Sequence, residues 1–305
     1  MFQKAMARLV PHLPTRLVQK VAARYIAGET DCEALRTARA LTNRGFVVTL
    51  DILGEDTKTP AQAAAAADEY IALLDKLVDV SVSPNVSVKL TQLGLRLNEI
   101  TAVEHLRRLL YRAQDHNGFV RIDMEDASLT DATLRIHQQM VASGFQTGTV
   151  LQARLRRTRT DAATLKNAEI RLCKGAYKED DRIAYHRSRE IRRSYMDIFY
   201  TLIENNCRVA AATHDLALIE RIRAAIRRDN IPREKIEFQA LLGVPVRRTL
   251  EALREDGFSV RLYVPFGAAS LAYSLRRLNE NPDLAFAIVK NLLNRNRFDA
   301  GRLQR

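Results

Sequence analysis

The sequence predicts an α/β protein of the (β/α)8 TIM-type barrel class, with extra N-terminal helices ahead of the first strand. Eight short β-rich runs recur along the chain, each separated by a helical segment. Strands alternating with helices build a parallel sheet with right-handed crossovers. Eight such units in 305 residues suit a closed barrel better than an open sheet. No GxGxxG follows the first run, which removes the usual fingerprint of an open dinucleotide-binding sheet.

The elements follow in order. Residues 1–44 read as helices packed outside the barrel, and residues 45–305 as the barrel itself, in a single domain without linker or long repeat. The β-rich runs are 46–50, 86–90, 119–123, 149–152, 170–173, 209–212, 236–239 and 260–264. Most are short and read without strong alternation, as expected of strands buried on both faces. A helix over 60–78 opens after Thr59 as N-cap with Pro60 in its first turn. A second, over 132–141, follows Thr130 and Asp131 and stops near Gly144. A third spans 215–228, with Leu216, Ile219, Ile222 and Ile226 at helical spacing on one face. A fourth, over 247–254, stops near Gly257.

Composition narrows the class. The chain is 47% hydrophobic and 28% charged, which is globular rather than disordered. Its longest charge-free stretches, 138–153 and 262–275, are broken by Gly, Ser, Gln or Pro, so no transmembrane helix is expected. Lys4, Arg8, His12 and Arg16 interrupt the N-terminus, which lacks the apolar core of a signal peptide. A cytoplasmic protein is the default. Cys32, Cys173 and Cys207 show no CxxC spacing, and the six histidines show no HxH or HExxH, so neither a disulfide framework nor a metal site is expected. The net charge of +12 fits nucleic acid, an acidic membrane surface, anionic substrates or simply a basic solvated surface. Its densest patch, Arg154, Arg156, Arg157 and Arg159, has no interleaved aromatics and so no platform for stacked bases. Oligomeric state has no signature in the sequence.

Barrel enzymes carry their chemistry at the C-terminal ends of the strands. Those ends are dense in polar groups: Asp51, Lys89, Asp123 with Glu125 and Asp126, Gln152, Arg171 and Lys174, Thr213-His-Asp215, Gln239 and Tyr263. Buried charges are expensive unless paired or used, so a functional cavity is expected there. After the last run, Tyr273, Arg276, Arg277 and Glu280 are spaced 0, 3, 4, 7 and share one helix face. A paired-arginine face suits a carboxylate or a phosphate; a solvated face with an Arg276–Glu280 salt bridge is the plainer reading. No GxSxG elbow is present. Lys174 or Lys89 could form a Schiff base, as in aldolase-type barrels.

Several of these ends carry a recognisable combination. They are Ser87-Val-Lys-Leu-Thr-Gln-Leu-Gly94, Arg121-Ile-Asp-Met-Glu-Asp126, Val150-Leu-Gln-Ala153, Arg171-Leu-Cys-Lys-Gly-Ala-Tyr177, Ala212-Thr-His-Asp215, Glu237-Phe-Gln239, Tyr263-Val-Pro-Phe-Gly267 and Arg276-Arg-Leu-Asn-Glu280. In this order, nearly one per strand, the set resembles the proline dehydrogenase family, specifically its monofunctional bacterial members, from about residue 36 to about 295.

The resemblance implies a distorted (βα)8 barrel that binds FAD across its strand ends. It implies oxidation of L-proline to Δ1-pyrroline-5-carboxylate by hydride transfer to the flavin, the first step of proline degradation, with a membrane quinone as electron acceptor. On this reading Lys89, Arg276 and Arg277 hold the substrate carboxylate, and Asp123 pairs with Lys89 or Arg276. Tyr263 closes over the substrate ring and Glu280 steadies the arginine pair. Arg171 stands near the flavin N5. Lys174, Gly175 and Ala176 run along the cofactor, Met124 and Gln152 touch its ring, and Thr213 and His214 its far side. Asp126 and Asp215 support these groups. Tyr273 crowds a ring hydroxyl and so favours proline over hydroxyproline.

Two residues depart from the family pattern: Arg154 stands where an aromatic is common, and Cys173 where an aliphatic is usual. The charged stretch 178–193 has no assignment beyond a solvated loop and helix face. A quinone acceptor gives the basic surface a use in peripheral docking on the anionic inner membrane. Two other functions compete. One is a Schiff-base aldolase using Lys174, with a phosphate near Gly243 and Gly267. The other is a nucleic-acid-binding module, which leaves the strand-end residues unexplained.

Overall fold

Alternation within the strands decides how this chain closes. Apolar and polar residues alternate along most of the length of six of the eight, as in Val86-Ser-Val-Lys89 and Val260-Arg-Leu-Tyr263. Successive side chains point to opposite faces of a strand, so each of these six offers an apolar face to the helices and a polar face to the barrel interior. The expected weak alternation is therefore corrected. The strands are buried on both faces, but the inner face is polar, and partners across the barrel replace water.

The computed structural model describes residues 25–268 together with Phe298 and Leu303. The expectations for residues 1–24 and for Tyr273, Arg276, Arg277 and Glu280 lie outside the described residues. The strands are β1 (Val47–Ile52), β2 (Asn85–Val88), β3 (Phe119–Ile122), β4 (Thr147–Gln152), β5 (Glu169–Cys173), β6 (Arg208–Ala212), β7 (Ile236–Leu241) and β8 (Ser259–Phe266). They form one closed, all-parallel barrel in sequence order. Closure runs through β1 and β8, in register from Val47↔Arg261 to Ile52↔Phe266.

Helix α1 (Asp31–Thr42) precedes β1. The crossovers are α2 (Pro60–Asp79), α3 (Glu99–Asp115), α4 (Thr130–Ala142), α5 (Thr158–Thr164), α6 (Ser188–Glu204), α7 (Leu216–Arg228) and α8 (Arg247–Glu255). Local chemistry starts several of them. Thr30 and Glu33 form a reciprocal capping box on α1. Thr59 caps α2 with Pro60 in its first turn, and Asn98 and Asp215 cap α3 and α7. Each described helix is then followed by one residue of positive φ that turns the chain toward the next strand: Gly45, Ser81, Asn117, Gly144, Asn167, Asn206, Asn230 and Gly257.

Ile219, Ile222 and Ile226 pack inward from α7 as their spacing predicts. Leu216 does not; as the first helical residue it stands beyond the strand ends and is exposed. Between helices and barrel lies one continuous apolar layer that includes Leu50, Val88, Ile122, Leu172, Phe238 and Leu262.

Candidate active site

Inward positions near the strand ends bring four sequence-predicted residues together. Lys89 follows β2, Asp123 follows β3, Arg171 lies on β5 and Tyr263 on β8. Asp123 is their centre. Its Oδ1 accepts from Arg171 Nη1 at 2.7 Å and its Oδ2 from the Tyr263 hydroxyl at 2.8 Å. Lys89 Nζ stands 4.0 Å from the same Oδ2. The nearer partner of Lys89 is Asp51 at the end of β1, at 3.0 and 3.2 Å from the two carboxylate oxygens. The expected Asp123–Lys89 pairing is thus secondary, because Arg171 reaches Asp123 first from across the barrel. Two cations and two carboxylates balance, which offsets the cost of their burial.

Arg171 is fixed from three strands. Nε donates to Gln239 Oε1 at 2.6 Å, Nη1 to Asp123 and Nη2 to Ser87 Oγ at 3.0 Å. Its guanidinium also lies 5.1 Å from the Tyr263 ring centroid. A guanidinium has five N–H donors; two of them have no acceptor among the described residues. Burial and the nearby Asp123 push the Asp51 carboxyl above its ordinary value, against the pull of Lys89. Burial also pushes the Tyr70 phenol, which donates to Asp51, well above its usual range.

The remaining predicted residues form a rim after β3 to β6. Met124 is buried. Gln152 donates through Nε2 to the Glu125 carbonyl at 2.8 Å. Gly175 adopts φ +101°, and a Cβ there would stand 3.1 Å from Gln152 Oε1 and 3.2 Å from Arg154, so this turn takes glycine. Ala176 beside it is exposed. Lys174 and Arg192 share Asp215, Arg192 at 2.6 Å. Thr213 is buried and accepts from the Asp215 amide at 3.1 Å. His214 is open to solvent, yet desolvation by surrounding protein pushes its imidazole below the ordinary value.

Asp126 pairs with Arg96, and Asp215 pairs with Lys174 and Arg192. Sequence reasoning assigned no role to Asp51, Ser87, Gln239 or Tyr70. Asp51 and Gln239 stand out in the sequence as polar strand ends, and Ser87 opens the Ser87–Gly94 motif. Tyr70, on the buried face of α2, gave no sequence signal. The Lys174 ion pair also weighs against an aldolase, since a nitrogen held in an ion pair offers no lone pair to a carbonyl.

The family model described as proline dehydrogenase matches residues 34–286. The chain belongs to the proline dehydrogenase family. It is similar to proline dehydrogenase 1 of Bacillus subtilis (strain 168), at 33% identity over 274 residues, 89% of this chain and 90% of that one. It is also similar to proline dehydrogenase of Deinococcus radiodurans, at 32% identity over 292 residues, 93% and 94% of the two chains. Among solved structures it resembles proline utilization A (PutA) from Bdellovibrio bacteriovorus inactivated by N-propargylglycine. The TM-score is 0.79 at 25% identity over 94% of this chain. The chain spans about a third of that longer one, 35% of its length. The barrel and the enzyme class read from the sequence therefore both stand.

Proposed function

We propose that this proline dehydrogenase family member oxidises L-proline to Δ1-pyrroline-5-carboxylate, with FAD as hydride acceptor and a membrane quinone as the final acceptor. One observation carries the reading: in a chain of this family, Arg171 is locked by Asp123, Ser87 and Gln239 against the Tyr263 ring, with two N–H groups that have no acceptor among the described residues. The donor set fits a flavin. Arg171 offers N–H groups to a ring nitrogen that gains charge on reduction. Met124 and Gln152 are assigned to the ring, Lys174, Gly175 and Ala176 to the turn along the cofactor, and Thr213 and His214 to its far side.

The chemistry a bound FAD would supply is hydride acceptance from the ring carbon next to the proline nitrogen. The protein's part is placement. Lys89, braced on Asp51, holds the substrate carboxylate, and Arg276 and Arg277 are assigned to the same group, with Glu280 steadying them. Fixing that carboxylate fixes the ring, and orientation is most of what such a site must supply. Tyr263, held by Asp123, covers the ring, and Tyr273 is assigned to crowd out a ring hydroxyl.

The test is the visible spectrum of the purified protein before and after L-proline is added without oxygen. A flavin spectrum that bleaches supports the reading. A flavin spectrum unchanged by proline but bleached by another cyclic amine moves the substrate. A protein that stays colourless and inert after FAD is supplied overturns it.

A further inference from the structure

The hydrogen bonds of Arg171 continue below the site, into the barrel interior. Its Nε donates to Gln239 Oε1 at 2.6 Å, and Gln239 Nε2 donates to Glu237 Oε1 at 2.5 Å. Glu237 is clamped in turn by Arg261, whose Nε reaches Oε1 at 2.8 Å and whose Nη2 reaches Oε2 at 3.0 Å. Ser259 Oγ adds a contact to Oε2 at 3.1 Å. Arg261 is anchored by its Nη1 on the Val48 carbonyl at 2.6 Å. The chain runs from β1 through β8 and β7 to β5.

Two features give this chain a direction. A carboxylate only accepts hydrogen bonds, whereas an amide accepts at one end and donates at the other. Glu237 therefore forces the Gln239 NH2 toward itself and its carbonyl oxygen toward Arg171. With the amide turned over, an NH2 would face the guanidinium and the bond would be lost. Reach is the second feature. Arg171 on β5 must pass β6 to meet Gln239 on β7, and the β6 positions on that face are Ala210, paired with Arg171, and Ala212. Larger side chains there would stand in the path.

We propose that Gln239 is a positioning residue for the reaction, oriented by Glu237, and that it sets the plane in which Arg171 presents its two remaining N–H groups to the flavin. The proposal rests on the flavin reading above. It adds a dependence of the reacting centre on a residue pair lying deeper in the barrel.

The test uses flavin-loaded enzyme and Gln239→Met, which keeps the side-chain length and removes the acceptor. Sulfite adds to N5 of oxidised flavin, and the adduct is stabilised by positive charge and donors at that atom, so its dissociation constant reads Arg171 without using proline. The expected result is roughly ten-fold weaker sulfite binding and a roughly ten-fold lower kcat, with the KM for proline within about two-fold, as a mispositioned group at the reacting atoms gives. Glu237→Gln should act in the same direction, and adding it to Gln239→Met should cause no further loss, because one residue acts through the other. Gln239→Met alone carries the test if Glu237→Gln fails to fold. A lower Tm with unchanged sulfite affinity and kcat reduces Gln239 to packing and overturns the proposal, as do losses that multiply in the double variant. Wild-type enzyme that binds flavin and sulfite but ignores proline refutes the substrate and leaves the relay measurable. Wild-type enzyme without flavin refutes both.

Discussion

Lys89 enters the barrel with its ammonium against two carboxylates, and the nearer one, Asp51, is fully buried. Removing the cation while leaving its partner strands a charge, at about 3–5 kcal/mol. Lys89→Met should therefore lower Tm sharply and raise the KM for proline. Adding Asp51→Asn should return much of the Tm and none of the KM, and thermal melts paired with kinetics check both halves. A KM restored together with Tm would show that Lys89 serves the fold alone. Glu125 makes the second residue-scale prediction. Its carboxyl, bonded to the Thr91 amide and hydroxyl, is pushed by burial from 4.5 up to about 7. A raised carboxyl contributes stability that is complete below its unfolded value and lost as pH climbs through the folded one. From pH 6 to pH 8 the loss is about 1 kcal/mol, a few degrees of Tm at this size. Glu125→Gln should flatten that slope, and parallel slopes in the two proteins would place the titration elsewhere. The sequence made Asp51, Lys89 and Asp123 legible as strand-end charges, because period-two alternation decides which way each faces. It did not show which carboxylate takes Lys89, since that choice depends on where Arg171 arrives from across the barrel.

At the scale of elements, helix starts were written in local chemistry and helix stops only partly so. Thr59 with Pro60, and Asp215 ahead of α7, act through neighbours three residues away, which a sequence displays. Gly144 and Gly257 mark their stops equally well. Ser81 does not. It closes α2 with φ +58° at an exposed position, where serine carries no signature of a left-handed turn. A side chain in that region costs about 1–2 kcal/mol relative to its preferred conformations, and glycine returns part of that gain as unfolded-state entropy. Ser81→Gly should therefore stabilise the protein by about 0.5–1 kcal/mol with no change in kcat. Chemical denaturation measures this directly, and a destabilised variant would mean that Ser81 contributes more than its backbone angle.

The whole molecule joins what the sequence keeps apart. The cluster around Arg154 to Arg159 and the unassigned stretch 178–193 meet through an antiparallel bridge between Leu155 and Ala184. The Arg156 amide bonds the Ile183 carbonyl at 2.9 Å, and its guanidinium lies 4.4 Å from the Tyr185 ring centroid. No local pattern foretells a bridge of that span, although eight alternations of strand and helix were enough to foretell the barrel. The bridge brings together Arg156, Arg159, Arg187, Arg189 and Arg193, all exposed, from the loops after β4 and β5 and the starts of α5 and α6, the same end of the barrel as the candidate site. None of the described helices is long and apolar enough to cross a membrane. The quinone proposed above as final acceptor would, on that reading, be met at the bilayer surface. A basic rim beside the mouth suits that approach. Each basic residue near an anionic surface contributes about 1 kcal/mol, so replacing Arg159, Arg189 and Arg193 together by Gln should weaken binding to anionic vesicles roughly 100-fold. Binding should also fall steeply with salt, and activity with a soluble acceptor should not change. Vesicle sedimentation with and without acidic lipid measures it. Equal binding to neutral vesicles, or a triple variant that sediments like wild type, would move the docking face elsewhere on a surface whose net charge is +12.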